Sequence, residues 1–257
     1  MLRTSNPPEK QGVSVLCSNY NSARWIRNYC RCLNEQFLEE FDVIVVDAAS
    51  TDGSLEIIKS FSFRQGVSVT FIECAERISI YEAWNLATRA ATTEYCINFN
   101  TDDRLYPSAL LMLMSYARVS PEIDIFYSRR LLTLNQNHLT VNHLFDYPEY
   151  SHEALLKESI CGPFPMWKRH TIIEAGLFDT QYRYSADHDM WLRLSRNGAR
   201  FKKIPEIIGS YYYNPEGLST DVRTKEQRIR ENEDIRRRHG GTEIPGQHDA
   251  SGTQKIP

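Results

Sequence analysis

A chain of 257 residues with 41% apolar and 25% charged residues can bury a substantial core, which excludes disordered and fibrous classes. Its 30 basic and 33 acidic residues leave a formal charge of -3, so composition gives no sign of a polyanion such as nucleic acid as the main partner. Six scattered cysteines and a start, MLRTSNPPEK, without an apolar leader core point to free thiols in a reducing, cytoplasmic setting.

Residues 1–12 read as a loose polar lead-in. A strand is expected over Val13–Cys17, followed by the turn and cap residues Ser18-Asn19-Tyr20-Asn21. From Ala23 to Leu38, apolar residues at three- and four-residue spacing predict a helix; Cys30 and Cys32 within it lack the further ligands of a zinc site. Asp42–Val46 is a continuous β-branched run suited to a strand covered on both faces, ending at Asp47 before the turn Ser50-Thr51-Asp52-Gly53-Ser54 and a helix through Leu55, Ile57 and Ile58. The alternation repeats with a strand at Val67–Ile72, a helix from about Ser79 to Ala91 and a strand at Tyr95–Asn100. Repeated βα units predict an α/β fold with a Rossmann-like, mostly parallel central sheet flanked by helices. Ligands of such a sheet bind beyond the carboxyl ends of the strands. Ser18 to Asn21, Asp47, and Asp102 with Asp103 all fall at those ends.

After Pro107 a helix carries Leu110, Leu111, Leu113, Met114 and Ala117, and Ile123–Tyr127 reads as a strand. Residues 129–148 have no clean period and suit a hairpin reaching around the site. Short helices are expected at His170–Ala175 and Asp189–Arg196, an apolar stretch at Ile207–Tyr213, and a charged helix from about Val222 to Arg238. Residues 13–239 thus form one domain, with a nucleotide-binding half at 13–107 and an acceptor half at 108–239. Residues 240–257 lack apolar anchors and read as a disordered tail.

Several carboxylates stand where chemistry could use them. Adjacent Asp102 and Asp103 repel unless a cation lies near, and hard oxygen ligands suit Mg2+ or Mn2+; helix capping before Pro107 is the alternative. Asp47 ends a buried strand and could accept from a base or ribose hydroxyls, whereas Asp52 beside Gly53 is a turn or cap residue. Tyr20 could stack on a base or belong to the core. In Asp187-His188-Asp189, Asp189 suits a helix N-terminus, while Asp187, expected one step outside the helix in a loop, could face an acceptor hydroxyl as base or serve as a cap. His188 is either catalytic or charge-paired between the two aspartates. The charged helix carries Arg228, Arg230, Arg236, Arg237 and Arg238 among acids and reads first as a solvated, ion-paired face, secondly as a peripheral membrane contact.

Taken in order, these pieces resemble the family 2 glycosyltransferases of GT-A fold. The resemblance runs through Val13-Ser14-Val15 with Ser18, Tyr20 and Asn21; Asp47 and Ser50 to Ser54; and Glu76, Tyr81, Ala83 and Asn85. It continues through Phe99 to Asp103 with Pro107, Gly176 to Asp179, and Asp187 to Arg193 with Gly198. It implies an inverting, non-processive transfer of sugar from a nucleoside diphosphate donor, a UDP-sugar, to a hydroxyl of a glycan or lipid-linked acceptor. Donor contacts would come from Ser18, Tyr20, Asp47, Glu76, Asn85 and Asp102, the metal (Mn2+ or Mg2+) from Asp102 and Asp103, and the general base from Asp187. Ala48-Ala49 departs from relatives that carry a second carboxylate or glycine there. No transmembrane segment is expected, only peripheral contact with the inner face of a membrane. A nucleotidyltransferase or a silent sugar-nucleotide-binding protein is the alternative, though no Gly-rich basic loop follows the first strand.

Overall fold

The computed structural model describes residues 9–241, positions 136 and 139 excepted, so most of the lead-in and the tail from 242 lie outside the described residues. Within them the first strand, β1, covers Lys10–Asn19, so the lead-in is shorter than the sequence suggested. There follow α1 (Ile26–Asn34), β2 (Phe41–Asp47), α2 (Ser54–Lys59), β3 (Val67–Glu73), α3 (Ile80–Ala90), β4 (Thr93–Asn98), the short β5 (Arg104–Leu105) and α4 (Ala109–Val119). The chain continues through β6 (Ile125–Thr133), β7 (His143–Phe145), α5 (His152–Lys157), β8 (Met166–Lys168), α6 (Arg169–Glu174), α7 (Ala186–Arg196), β9 (Phe201–Tyr212), a 3-10 turn at Val222–Thr224 and α8 (Lys225–Arg238).

The strands form one sheet in the order β3-β2-β1-β4-β8-β6-β9-β5, with β7 added to β6. The expectation of a mostly parallel sheet needs correction. β3, β2, β1 and β4 are parallel, but β8 runs antiparallel to both β4 and β6, and β5 and β7 are antiparallel to β9 and β6. The cause is local: β8, β5 and β7 are two or three residues long, too short for a periodic signal, and they interleave with the longer strands. The architecture is a mixed-sheet α/β fold of GT-A type.

Alternation along the strands assigns the two faces. Val13, Val15 and Cys17 of β1 join Val43 and Val45 under α1, α2 and α4, while Leu16, Ile44 and Val46 pack with α3, α6 and α7 on the other side. The second face also buries Trp167 and Trp191, whose ring centroids lie 5.9 Å apart. Helix α3 starts where predicted because Ser79 and Glu82 form a reciprocal capping box.

Helix α8 is not a free basic face. Arg228 and Arg236 are buried, with Arg228 Nη1 donating to Asp221 O and Arg236 Nη2 to Lys157 O, while Arg237 and Arg238 pair with Asp234. All six cysteines are free thiols, five of them buried. Among the described residues no helix is long and apolar enough to cross a membrane.

Candidate active site

The turn after β4 is clamped to the far end of β9. Pairing of Arg104 with Ser210 brings β9 alongside, Asp103 Oδ1 accepts from Tyr212 N at 3.0 Å, and Asp102 Oδ2 accepts from Asn214 Nδ2 at 3.0 Å. His138 completes the clamp through Asp102 O (3.0 Å) and Ser210 Oγ (2.6 Å). The two carboxylates consequently part company. Asp102 stays half-buried and lines a cleft of about 330 Å³, whereas Asp103 is buried behind it against β9 and a smaller neighbouring hollow. Burial raises the affinity of Asp102 for a proton; Asp103 is pushed further in the same direction, by burial first and then by the charge of Asp102.

The same cleft is lined by Asp187. It lies in the first turn of α7 and not in a preceding loop, because the helix begins at Ala186, three residues earlier than the apolar pattern of Met190, Trp191, Leu192 and Leu194 indicated. Tyr81 Oη, on α3, stands 2.9 Å from both Asp187 Oδ1 and Tyr184 O. One hydroxyl proton therefore serves two acceptors. With Asp187 ionised, Tyr81 donates to it; with Asp187 protonated, the carboxyl can donate to Tyr81 Oη, which turns its own proton to Tyr184 O. Burial raises the pKa of Asp187, with the Tyr81 hydrogen bond opposing that shift. His188 is buried, with Nε2 2.6 Å from Leu155 O and Nδ1 3.3 Å from Asn232 Oδ1, so both ring nitrogens are engaged by the scaffold. Asp189 pairs with Arg193 at 2.7 Å and His239 at 3.0 Å, which leaves Asp187 as the carboxylate of this cluster in the cleft.

The residues expected to contact the donor are not all brought together. Ser18 lines the cleft with Asp102. Tyr20 is exposed outside it with Arg77 4.2 Å above its ring, and Glu76 is exposed in the loop before α3. Asp47 is buried, and its oxygens are taken by Asn19 Nδ2 at 2.6 Å and Ser50 N at 3.0 Å. Asn85 is likewise committed, its amide exchanging hydrogen bonds with Phe178 O (2.8 Å) and Phe178 N (2.9 Å). Beyond those expectations, the cleft contains Asn100, Arg130, Tyr211 and Asn214. Arg130 sits in the stretch without a clean period, where two adjacent arginines, Arg129 and Arg130, gave no sign of which one is buried in the cleft.

Among the described residues no three or more His, Cys, Asp or Glu side chains converge as a closed metal site. An open site is a different matter. Asn100 and Asp102 line the same cleft, Asn100 Oδ1 is buried without a hydrogen-bond partner, and two hard oxygens would leave room for phosphate ligands. These donors fit Mg2+ or Mn2+ completed by a diphosphate.

A parallel β3-β2-β1-β4 sheet, carried on by mixed strands, with one aspartate at the end of β4 and another at the start of α7 lining a single cleft, defines the GT-A class of glycosyltransferase folds. The glycosyl transferase family 2 profile matches residues 14–176, and the chain belongs to that family. It is 26% identical over 207 residues to a chondroitin synthase of Escherichia coli, covering 80% of this chain and 30% of that protein. It is also 26% identical over 211 residues to the amylovoran biosynthesis glycosyltransferase AmsB of Erwinia amylovora, covering 77% and 69%. The chain thus spans under a third of the chondroitin synthase. Among solved structures, S. aureus TarS 1–349 in complex with UDP-GlcNAc superposes with a TM-score of 0.73 at 16% identity, over 89% of this chain and 66% of that one. A mannosyltransferase from Pyrobaculum calidifontis in complex with GDP-Man and Mn2+ gives 0.63 at 20% identity, over 89% and 67%. At such identities these superpositions speak for the fold.

Proposed function

We propose that the chain transfers a sugar from a nucleoside diphosphate donor, a UDP-sugar, to a hydroxyl of a glycan or lipid-linked acceptor, with inversion at the anomeric carbon. The observation that carries this reading is that the Asp187 carboxylate, held by Tyr81, opens into the same cleft as Asp102. Support also comes from family membership and from relatives named for chondroitin synthesis and amylovoran biosynthesis.

In this reading the acceptor oxygen attacks the anomeric carbon from the side of Asp187, the bond to the diphosphate oxygen breaks, and the acceptor proton passes to the carboxylate. Burial keeps Asp187 basic enough to take that proton, while the Tyr81 hydroxyl orients it. Asp102 with Asn100 Oδ1 would hold the divalent cation, which supplies charge neutralisation for the departing diphosphate. Asp103, bonded to Tyr212 N, fixes the turn that aims Asp102. Ser18 is the donor contact best placed among those expected from sequence. Tyr20, Glu76, Asp47 and Asn85 would act at its margin or through the loops they hold.

Calorimetry with a panel of nucleotide sugars tests the donor and the metal together. The expected outcome is binding of a UDP-sugar that weakens about tenfold or more in EDTA and again in Asp102→Asn, since removing a hard ligand weakens the cation and so the diphosphate. Equal affinity in EDTA would remove the metal from the reading. Failure of every nucleotide sugar to bind would remove the donor.

A further inference from the structure

Arg130 of β6 is buried to 8% exposure on the wall of the cleft, and its surroundings are unusual for a charge. Three rings cage the guanidinium: Phe145 of β7 at 4.5 Å, Tyr211 of β9 at 4.8 Å and Tyr147 at 5.6 Å. Ring faces offset part of the cost of burying a cation, yet they accept nothing from the N–H groups along its edge. Among the described residues no carboxylate pairs with Arg130, and its buried Nε has no hydrogen-bond partner. A buried donor without an acceptor is destabilising, and on the wall of a cleft a ligand can supply the acceptor it lacks. Nε and the neighbouring Nη together form a planar fork that matches a carboxylate or a phosphate.

The location of the cage narrows which anion. All of its walls come from the segment β6 to β9, between the two ends of the cleft: Tyr147 is close enough to Asp187 to feel its charge, while Tyr211 and Arg130 itself are close enough to Asp103 to interact with its charge. In the proposed reading the diphosphate would be neutralised at the β4–β5 turn by the cation that Asp102 and Asn100 would hold, which leaves Arg130 for a second anion. Resting on the glycosyl-transfer reading, we infer that Arg130 selects an acidic sugar, binding a carboxylate or phosphate substituent carried by the donor sugar or by the acceptor glycan. The residue is thus a specificity determinant of the cleft, and it touches substrate through its fork while the aromatic cage keeps the fork from rotating.

Two probes that differ only at one carbon separate the sources. UDP, UDP-glucose and UDP-glucuronate are titrated into the full chain and into Arg130→Gln, each with Mn2+ present. If the anion is on the donor, the wild type binds UDP-glucuronate about tenfold or more tighter than UDP-glucose, as a charge-assisted bidentate contact predicts, and the variant loses that preference while binding UDP normally. If it is on the acceptor, the UDP-loaded wild type binds a glucuronate-containing oligosaccharide or a sugar phosphate in preference to a neutral oligosaccharide, and the variant does not. A variant that weakens UDP itself as much as every other ligand places Arg130 on the diphosphate and overturns the inference. So does a folded variant with the same affinities as the wild type. Arg130→Lys guards against misfolding: it retains charge without the fork and should recover part of the preference, which a residue serving only to fill the cage would not do. A wild type that binds no nucleoside diphosphate overturns instead the donor reading on which the inference rests.

Discussion

Asp47, the last residue of β2, and Asp187, in the first turn of α7, are wired in opposite ways. Around Asp47 every polar group is spoken for. Asn19 Nδ2 reaches Asp47 Oδ1 and the hydroxyls of Ser50 and Ser54, Thr51 N donates to Asn21 Oδ1 at 2.8 Å, and Ala23 N donates to Asp52 Oδ2 at 2.8 Å, so the loops after β1 and β2 are stitched into one body. Around the cleft, polar groups are left wanting: Asn100 Oδ1 and Arg130 Nε are buried without partners, and Tyr81 has one proton for two acceptors. The same polar residue types therefore close on themselves around Asp47 and are left open along the cleft, where the proposed reaction would use them.

The sharpest break in that comparison comes from removing the two carboxylates in turn. Asp187→Asn should lower turnover by about 10²- to 10⁴-fold with donor dissociation constant near normal, because a general base acts chiefly in the transition state. Steady-state kinetics with calorimetry on the same preparation reads both numbers, and Asp189→Asn, whose partners are Arg193 and His239, is the control for a scaffold carboxylate. Asp47→Ala should act on stability instead. It leaves Asn19 Nδ2 short of one acceptor and Ser50 N without one, a cost of about 1–3 kcal/mol that urea unfolding would detect. Weaker donor binding at unchanged stability would return Asp47 to the donor contact that the sequence suggested.

How much of this was legible beforehand follows the same division. Strands β1, β2 and β4 were legible because Val13–Cys17, Val43–Val46 and Tyr95–Ile97 are mostly apolar runs buried on both faces, and α3 because Ala83, Trp84 and Ala87 recur at helical spacing. Strands β5 and β8 were not, since Arg104–Leu105 and Met166–Lys168 are defined by their partners in space. Asp102, Asp103 and Asp187 were singled out because they stand near an element's end, and of these Asp102 and Asp187 line the same cleft. Their division of labour with Asp103 and Asp189 was hidden, because only the return of β9 and α8 decides which of two near-adjacent carboxylates is satisfied. The commitments of Asp47 and Asn85 were hidden for the same reason: the Asn19 amide and the Phe178 N–H that engage them lie 28 and 93 residues away.

The Tyr81 relay gives a finer test at the open end of the comparison. Burial raises the pKa of Asp187 and the Tyr81 hydrogen bond lowers it, so Tyr81→Phe should raise it further. A base must be ionised to act, hence the acid limb of the kcat/KM profile should move to higher pH in the variant, with activity recovered on the alkaline side. The stability sign is opposite to that of an ordinary paired aspartate. A carboxyl whose pKa is raised in the folded chain stabilises most below its unfolded value, and that contribution is lost as pH rises through the folded one. Asp103, raised well above the ordinary 3.8, follows the same rule, so Asp103→Asn should flatten the fall of melting temperature with rising pH.

The smallest expected effect lies at the closed end, at Ala49. Its φ of 58° is left-handed, a conformation that L-residues enter at a cost of about 1–2 kcal/mol, and it follows directly from the stitching, since Ser50 N must turn back to reach Asp47 Oδ2 at 3.0 Å. Ala49→Gly relieves that strain but enlarges the freedom of the unfolded chain, which costs about 0.4–1 kcal/mol. The balance should be neutral to about 1 kcal/mol stabilising, whereas the same change in a helix interior such as Ala83 should destabilise by roughly 0.5–1 kcal/mol from propensity alone. Urea midpoints of the two variants measure the difference. If Ala49→Gly destabilises as much as Ala83→Gly, the loop is not strained, and the stitched network around Asp47 is its natural resting shape instead of a constraint imposed on it.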